Sequence, residues 1–335
     1  MNRPQHPTFK HGGLQHSRVG LLRSIDPTSI VLIAVISVAL GYFLASTLVV
    51  TEAQDAYQYR LNLDLGVYDE SNSTLFAFVV RTLVALFPYA DPFILIGTFT
   101  CASYLYLTFR TGAAWYKQAI FLVLLLLPLL EFNYTQVIRQ GAANALILHA
   151  LFTPAWPVAA VLLVAGGAMH LTYAPFALAI LVRLYLFRNE RDLTLVHTPR
   201  EIRFDRIVVI ALPLLWAILF IYQDQLFSEE RTEIYITYDT NIFKRVGVSS
   251  ALLGLAWLLY PKTRGSLASF MAFATVSVAI VLPFTYDFLR MQTYVMPFIA
   301  FTALMCRDDR RALAALGVCL AISLYVQPNF DRAMP

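Results

Sequence analysis

Charged residues are scarce in this sequence: Asp, Glu, Lys and Arg make up 14% of its 335 residues, against about 25% in a soluble domain. With 59% hydrophobic residues and a mean hydropathy of +0.63, the chain has too little polar surface to cover one water-soluble core. Cysteine is nearly missing as well. Cys101, Cys306 and Cys319 lie singly in or beside apolar segments, which excludes a disulfide framework or a paired-cysteine metal site and leaves three small hydrophobes. There is no Walker loop, no GxGxxG after a strand, no CxxC pair, no internal repeat and no low-complexity tract. The basic residues are scattered over short loops, so nucleic-acid binding has no support. The formal charge of +4 says less than where the charges sit.

What the sequence does have is apolar runs. The hydrocarbon core of a bilayer is about 30 Å thick, so a span takes about 20 mostly apolar residues. Residues 29–50, 91–109, 118–131, 206–222, 246–260, 265–282, 288–305 and 312–326 read as spans. Residues 73–87 are apolar but short and carry Arg81, read as an interfacial anchor. Residues 135–152 carry Arg139, Gln140, Asn144 and His149, the last read as structural. Residues 156–187 are too long for one upright helix, and Gly166, Gly167, His170 and Pro175 interrupt them, so they divide into 156–169 and 171–187 with a turn near His170. The expectation is an all-α polytopic membrane protein: a basic cytoplasmic tail over 1–28, one helical domain over 29–326 and a short tail over 327–335. No small-residue cleavage site follows the first run, so 29–50 is expected to be a retained span.

Orientation follows Lys and Arg in short loops. The first tail holds Arg3, Lys10, Arg18 and Arg23; the 188–206 loop holds Arg188, Arg191, Arg200, Arg203 and Arg206. Arg110 with Lys117, Lys262 with Arg264, and Arg307 with Arg310 and Arg311 add weaker inside signals, and the acidic loops 51–72 and 223–245 fall outside. One topology satisfies all of these: about eleven crossings, with 73–87 re-entrant or interfacial at the outer face. A rival lets 73–87 cross and makes 156–187 one broken span, at the cost of placing Arg110 and Lys117 outside.

Ionisable residues inside spans are expensive and mark functional sites by default. The preferred topology brings several to one depth near the outer face: Arg139 in 135–152, His170 at the outer turn, Arg290 at the start of 288–305, and Asp55, Tyr57, Arg60 and Asp64 after the first span. Each has a plainer reading. Arg139 can snorkel to the headgroups, His170 can be a packing histidine, Arg290 can pair with Asp287 at i−3, and Asp55, Arg60 and Asp64 can form a solvated loop. Two arginines in a low dielectric point to an anionic ligand, since guanidinium binds phosphate bidentately and keeps its charge. A lipid-linked pyrophosphate suits such a pocket, with its chain in the bilayer and its head at the outer surface.

The stretch FNYTQVIRQGAANALILHALFTPAWPVAAVLLVAGGAMHLTYAPFALAIL resembles the core of the EpsG-like, Wzy-type polysaccharide polymerases, through Arg139, Gln140, Ala142, Ala143, Leu146, Ala168, His170 and Thr172. Upstream, TEAQDAYQYRLNLDLG resembles the family's Asp-x-x-x-Tyr stretch through Asp55 and Tyr59 or the nearby Tyr57; downstream, FLRMQTYVMPF resembles its Arg-x-x-x-Tyr segment through Arg290 and Tyr294. Gly141 and the long acidic 223–245 loop depart from the pattern. The resemblance implies an inverting glycosyl transfer at the outer face of a bacterial cytoplasmic membrane, on a helical scaffold of the GT-C kind, without metal or other cofactor. A growing glycan on undecaprenyl pyrophosphate would be the donor and a lipid-linked repeat unit the acceptor. A flippase and a chain-length regulator would work in the same pathway.

On this reading Arg139 and Arg290 clamp the pyrophosphate, His170 or Asp55 acts as base, and Gln140, Tyr57, Arg60, Asp64, Tyr134 and Tyr294 bind substrate. His170 beside pyrophosphate could instead be protonated and serve as a third clamp. The acidic 223–245 loop, with Tyr235 and Tyr238, is expected to contact the acceptor glycan. Three other classes stay open: an O-antigen-ligase-like enzyme, a transferase using a polyprenyl monophosphate sugar with Asp55 or Asp64 as base or ligand, and a lipid-linked glycan transporter. A transporter would more often show two matching halves with paired broken helices, and no such pairing is present.

Overall fold

The computed structural model describes residues 26–47, 59–61, 63, 74–187, 198–221, 242–263, 265–284 and 288–332. These form helices and turns, with no strand among the described residues. The α-helices are α1 (Pro27–Thr47), α2 (Thr74–Leu86), α3 (Pro92–Arg110), α4 (Trp115–Leu125), α5 (Pro128–Thr135), α6 (Ile138–Phe152) and α7 (Trp156–Met169). They continue as α8 (Ala174–Leu186), α9 (Pro199–Ile221), α10 (Ile242–Leu259), α11 (Ser266–Val281), α12 (Phe288–Leu304) and α13 (Asp309–Arg332).

Within the described residues the apolar runs picked out above are largely helical, and the boundaries have local causes. Asp91 caps α3 by accepting from the Phe93 and Ile94 amides, with Pro92 in the first turn. Proline also opens α5, α7 and α8. His170 adopts an extended backbone (φ −146°, ψ 107°) that ends α7 and starts the 3₁₀ turn Leu171–Tyr173, which is the predicted break in 156–187. One expectation changes. The run 118–131 is not a single helix: α4 and α5 meet at 62°, and Asn133 and Tyr134, between the two expected spans, lie on α5.

Contacts between helix ends fix the directions. At one end of the bundle, Asp205 of α9 accepts from Arg183 Nε (3.0 Å) at the end of α8, from the Tyr260 hydroxyl (2.8 Å) after α10 and from Ser269 Oγ (2.7 Å) at the start of α11. Thr263 donates to the Thr302 carbonyl near the end of α12, at 3.2 Å. Arg311 at the start of α13 reaches the Leu258 carbonyl at 3.2 Å. Lys117 at the start of α4 donates to the Cys306 carbonyl at 2.9 Å and pairs with Asp309 at 2.6 Å. Successive long helices therefore run in alternate directions, and the predicted inside loops gather at this Asp205 end.

At the other end, Tyr59 packs on Phe76 in the first turn of α2 (5.4 Å) and on Phe93 in the first turn of α3 (6.2 Å). Arg60 pairs with Asp91 at 2.7 Å. A helix the length of α2 spans about 20 Å, and only Phe87–Asp91 joins its end to the start of α3. Both ends of α2 thus stay at the Tyr59 end.

The centre belongs to α12, whose residues 291–304 are buried on every side. Phe301 meets Phe121 of α4 (4.8 Å), Phe152 of α6 (5.9 Å) and Tyr104 of α3 (6.1 Å). Polar groups are sparse in this core and apolar groups abundant on its outside. Val31, Val35 and Phe43 on α1, Val161 and Val164 on α7, and Ile207 and Ile210 on α9 are all exposed. Leaving that much apolar area in water would cost about 25 cal/mol per Å², which fits a membrane protein. Three helical stretches among the described residues are long and apolar enough to cross a bilayer: Pro27–Ser46, Pro92–Arg110 and Ile242–Lys262. The bent α4–α5 pair passes the same test as a unit.

Asp205 is 2% exposed and Arg183 3%. Asp205→Ala would take one of two carboxylates from the buried Arg183, which keeps Glu201 at 3.2 Å, and would remove the acceptor shared by Tyr260 and Ser269. A loss of about 1–3 kcal/mol is expected, read as a lower thermal midpoint in detergent. Asp308→Ala removes an exposed partner of Arg311 and an amide acceptor and should cost only about 1 kcal/mol. Lys117 beside it holds the Asp309 carboxyl below its ordinary value of 3.8. The tie to α4 is therefore complete above that value and is lost as the pH falls through the lowered one.

Candidate functional site

The site grows from the turn between α5 and α6. After Thr135 the chain leaves helical geometry at Gln136 (φ −122°, ψ −58°) and Val137 (φ −92°, ψ 52°), and both amides return to the Phe132 carbonyl, at 3.0 and 2.8 Å. So sharp a reversal presses α5 onto two glycines. A Cβ on Gly141 would overlap the Asn133 carbonyl, and one on Gly97 of α3 would overlap the Tyr134 carbonyl. The absence of a side chain at Gly141 is thus what lets α5 lie against α6.

Around this turn is a buried polar cluster. Asn133 donates from Nδ2 to the Leu129 and Thr293 carbonyls (3.1 and 3.4 Å), and its Oδ1 accepts from Asn144 Nδ2 (2.8 Å). Gln140 Nε2 donates to Thr293 Oγ1 at 2.7 Å. One residue on, the Tyr294 hydroxyl lies 3.2 Å from His170 Nε2 and 3.5 Å from Thr172 Oγ1. Tyr173 packs edge-on against His170 (5.8 Å) and tilted against Tyr294 (5.2 Å), and its hydroxyl donates to the Tyr294 carbonyl at 3.4 Å.

Gln140 is therefore bonded to the residue beside Tyr294, and Tyr294 to His170, while the Arg139 side chain meets Tyr59 instead. The backbone of Arg290 lies one helical turn before Tyr294 on α12. The other expected residues fare differently. Arg60 is engaged by Asp91, an anchor for the segment after α1. Tyr134 is buried and its hydroxyl donates to the Leu125 carbonyl at 2.9 Å, so it holds the α4–α5 break rather than facing a ligand. Asp55, Tyr57 and Asp64 lie outside the described residues, as do Tyr235 and Tyr238. Thr293 and Tyr173 were missed as site residues. Only their places beside Tyr294 and His170 hinted at them.

The electrostatics favour an anion. The Arg139 guanidinium sits over the Tyr59 ring, 5.8 Å from its centre, and has no carboxylate partner among the described residues. Its Nε, Gln140 Oε1 and Asn144 Oδ1 are buried with no hydrogen-bond partner among the described residues. Arg139 is also in the first turn of α6, which Val137 leaves without a side-chain cap. The amides of that turn and the positive end of the helix dipole add to the guanidinium. No three His, Cys, Asp or Glu side chains converge among the described residues.

Comparison of the chain with protein-family models, with curated proteins and with solved structures finds no match.

Gly141→Ala should break this arrangement. The added methyl meets backbone rather than a side-chain tip, so a loss of about 1–3 kcal/mol is expected, visible as a lower thermal midpoint. Gly317→Ala, on an open face of α13 with nothing near its Cβ, should lower it not at all.

Proposed function

We propose that this chain is a membrane-embedded glycosyltransferase that polymerises lipid-linked oligosaccharide repeats, with a polyprenyl pyrophosphate as leaving group. The observation that carries the reading is Arg139: a cation without a carboxylate among the described residues, at an uncapped helix start, next in the chain to Gln140, which bonds Thr293 beside the Tyr294–His170 pair. The resemblance of the Arg139–Thr172 stretch to EpsG-like polymerases supplies the reaction class.

In this reading α1, α3, the broken α4–α5 pair and α6 to α13 cross the bilayer, giving eleven crossings in a GT-C-like arrangement, while α2 stays at the outer face. The Asp205 end, with its Lys and Arg loops, faces the cytoplasm. The Arg139 end faces outward, where a lipid-borne glycan presents its head.

Arg139 and Arg290 hold the pyrophosphate and stabilise the charge that gathers on it as the glycosidic C–O bond breaks. The acceptor hydroxyl attacks the anomeric carbon from the opposite face, inverting it, and gives its proton to His170 or to Asp55. Gln140 Oε1, a buried acceptor, is suited to a sugar hydroxyl. A ligase would use the same pocket, but its loss would leave finished polymer on its lipid, whereas loss of a polymerase leaves single repeats.

Arg139→Ala in a strain lacking the native copy should abolish long surface polysaccharide on a gel and leave single repeats, with protein at its normal level. Arg139→Lys should restore it only in part, because an ammonium lacks the bidentate fork. Undiminished long chains in Arg139→Ala would refute the clamp.

A further inference from the structure

We infer that the Asp205 end of the bundle carries a binding site for the phosphate of an anionic phospholipid, built from Arg110 and Tyr106 of α3 and His149 of α6. Arg139 begins α6 and His149 lies in its last turn, about 15 Å away along the helix. The site is thus remote from the proposed clamp and does not depend on the reaction proposed there.

Arg110 stands in the last turn of α3, where a cation ordinarily serves the helix dipole and the free carbonyls. Here the Leu107 and Thr108 carbonyls are already taken. The Thr111 amide donates to both, at 3.0 and 3.3 Å. The Thr108 carbonyl also accepts from Thr111 Oγ1 at 2.7 Å and from Gln118 Nε2 at 3.3 Å. The Arg110 side chain turns back along its own helix instead. It donates from Nη1 to the Tyr106 hydroxyl at 3.3 Å, and its guanidinium carbon lies 5.7 Å from the centre of the Tyr106 ring. No carboxylate among the described residues pairs with it, and its Nε is buried without a partner among them.

His149 joins this pair from α6. Its ring lies 6.2 Å from that of Tyr106, at 32°. The end of α6 is closed by another residue: Thr153 donates from Oγ1 to the His149 carbonyl at 2.7 Å and from its amide to the Ala150 carbonyl at 3.2 Å. Arg110, Tyr106 and His149 are each half-buried, and so is Leu146, one turn before His149 on the same face of α6. Depth follows from the neighbouring helix starts. Trp115 opens α4 and Trp156 opens α7, both exposed, and exposed tryptophans at helix ends mark the headgroup level of a bilayer. Only the loops 111–114 and 153–155 separate them from the ends of α3 and α6.

The anion that a bilayer presents at this level is the lipid phosphate. A guanidinium has five N–H donors and grips phosphate with two of them; Tyr106 uses one. The imidazole adds a further N–H, for which it needs no charge. Leu146 offers apolar contact to the acyl chain below. Charge decides among headgroups. Neither α3, α4, α6 and α7 nor the loops 111–114 and 153–155 contain an Asp or Glu. The carboxylate that reaches α4 from α13, Asp309, is held by Lys117 and Tyr116. Nothing on these elements therefore neutralises the ammonium of a zwitterionic headgroup, whereas a glycerol headgroup brings no such cation.

The test is native mass spectrometry of the full chain in detergent, titrated with phosphatidylglycerol or with phosphatidylethanolamine of the same acyl chains. Wild type should bind phosphatidylglycerol roughly five- to tenfold more tightly than phosphatidylethanolamine. Arg110→Ala should weaken phosphatidylglycerol roughly 10- to 100-fold, the worth of a charge-assisted contact, and Arg110→Lys should recover part of the loss. His149→Phe, which keeps an aromatic ring and removes the donor, should weaken it by a smaller factor. Arg310→Ala, at an exposed arginine of α13, should change nothing. If Arg110→Ala lowers the thermal midpoint in lipid-free detergent, Arg110→Gln takes its place. Equal affinity for the two lipids, unaltered phosphatidylglycerol binding in the Arg110 variant, or an equal loss in Arg310→Ala would overturn the site. Displacement of the lipid by an equal concentration of inorganic phosphate would assign the group to the free anion and overturn the lipid. Chain extension is not measured, so each outcome leaves the polymerase reading as it stands.

Discussion

The carbonyl of Asn133 rests where any side chain at position 141 would stand. That close approach of two backbones shapes everything around it. It turns α5 back across the start of α6, leaves α6 without a side-chain cap, and brings the Asn133 amide within reach of both Asn144 and the α12 backbone. Polar atoms freed by a broken helix inside a bundle need hydrogen-bond partners. Asn133, Asn144, Gln140 and Thr293 are those partners. The atoms they leave unsatisfied, Gln140 Oε1 and Arg139 Nε among them, are the ones aimed at a ligand in the proposed reaction.

Charge is matched most fully around Asp205. There every member is matched: the carboxylate accepts from an arginine, a tyrosine and a serine on three other elements. Such a knot ties the ends of four helices and leaves nothing over for a ligand. At the Arg139 end the cation rests on an aromatic face, a contact worth far less than a matched carboxylate. Arg110 likewise rests on a tyrosine ring, 5.7 Å from its centre, with its Nε unpartnered among the described residues. What sets Arg139 apart is its place in the first turn of a helix that has no side-chain cap.

The positions of helices were legible because length and apolarity decide them, and the break at His170 because glycine, histidine and Pro175 interrupt the run. The break between α4 and α5 was not legible. Pro128 marks it, but the leucines on both sides read as one continuous span. The fates of Arg60 and Tyr134 were hidden for a different reason. Asp91 before Pro92 reads as a helix start, and nothing in sequence says that its second carboxylate oxygen also holds Arg60. Tyr134 reaches a carbonyl nine residues away only because the helix between them bends. The link from His170 to Tyr294 spans 124 positions, beyond any periodicity. What the sequence offered was the expectation that His170 and Arg290, one turn before Tyr294, lie at one depth.

That shared depth turns on parity. Each segment that crosses reverses the side on which the next begins, so one miscounted helix moves every later residue to the other face. The early part of the chain is where the count is fragile, because α2 is apolar enough to cross and too short to do so comfortably. Its contacts settle which ends meet. Gly41 of α1 lies against Thr98 and Ala102 of α3, and Ala45 lies against Gly97, so α1 and α3 are antiparallel, as they would be with no crossing between them. Tyr59 then gathers the first turns of α2 and α3 at the end where α1 finishes, and Arg139 stacks on that same tyrosine. The residue that pins α2 in place is thus the one that seats the proposed clamp. A substitution at Tyr59 would act on both, loosening the fold of the outer segment and the orientation of the guanidinium together.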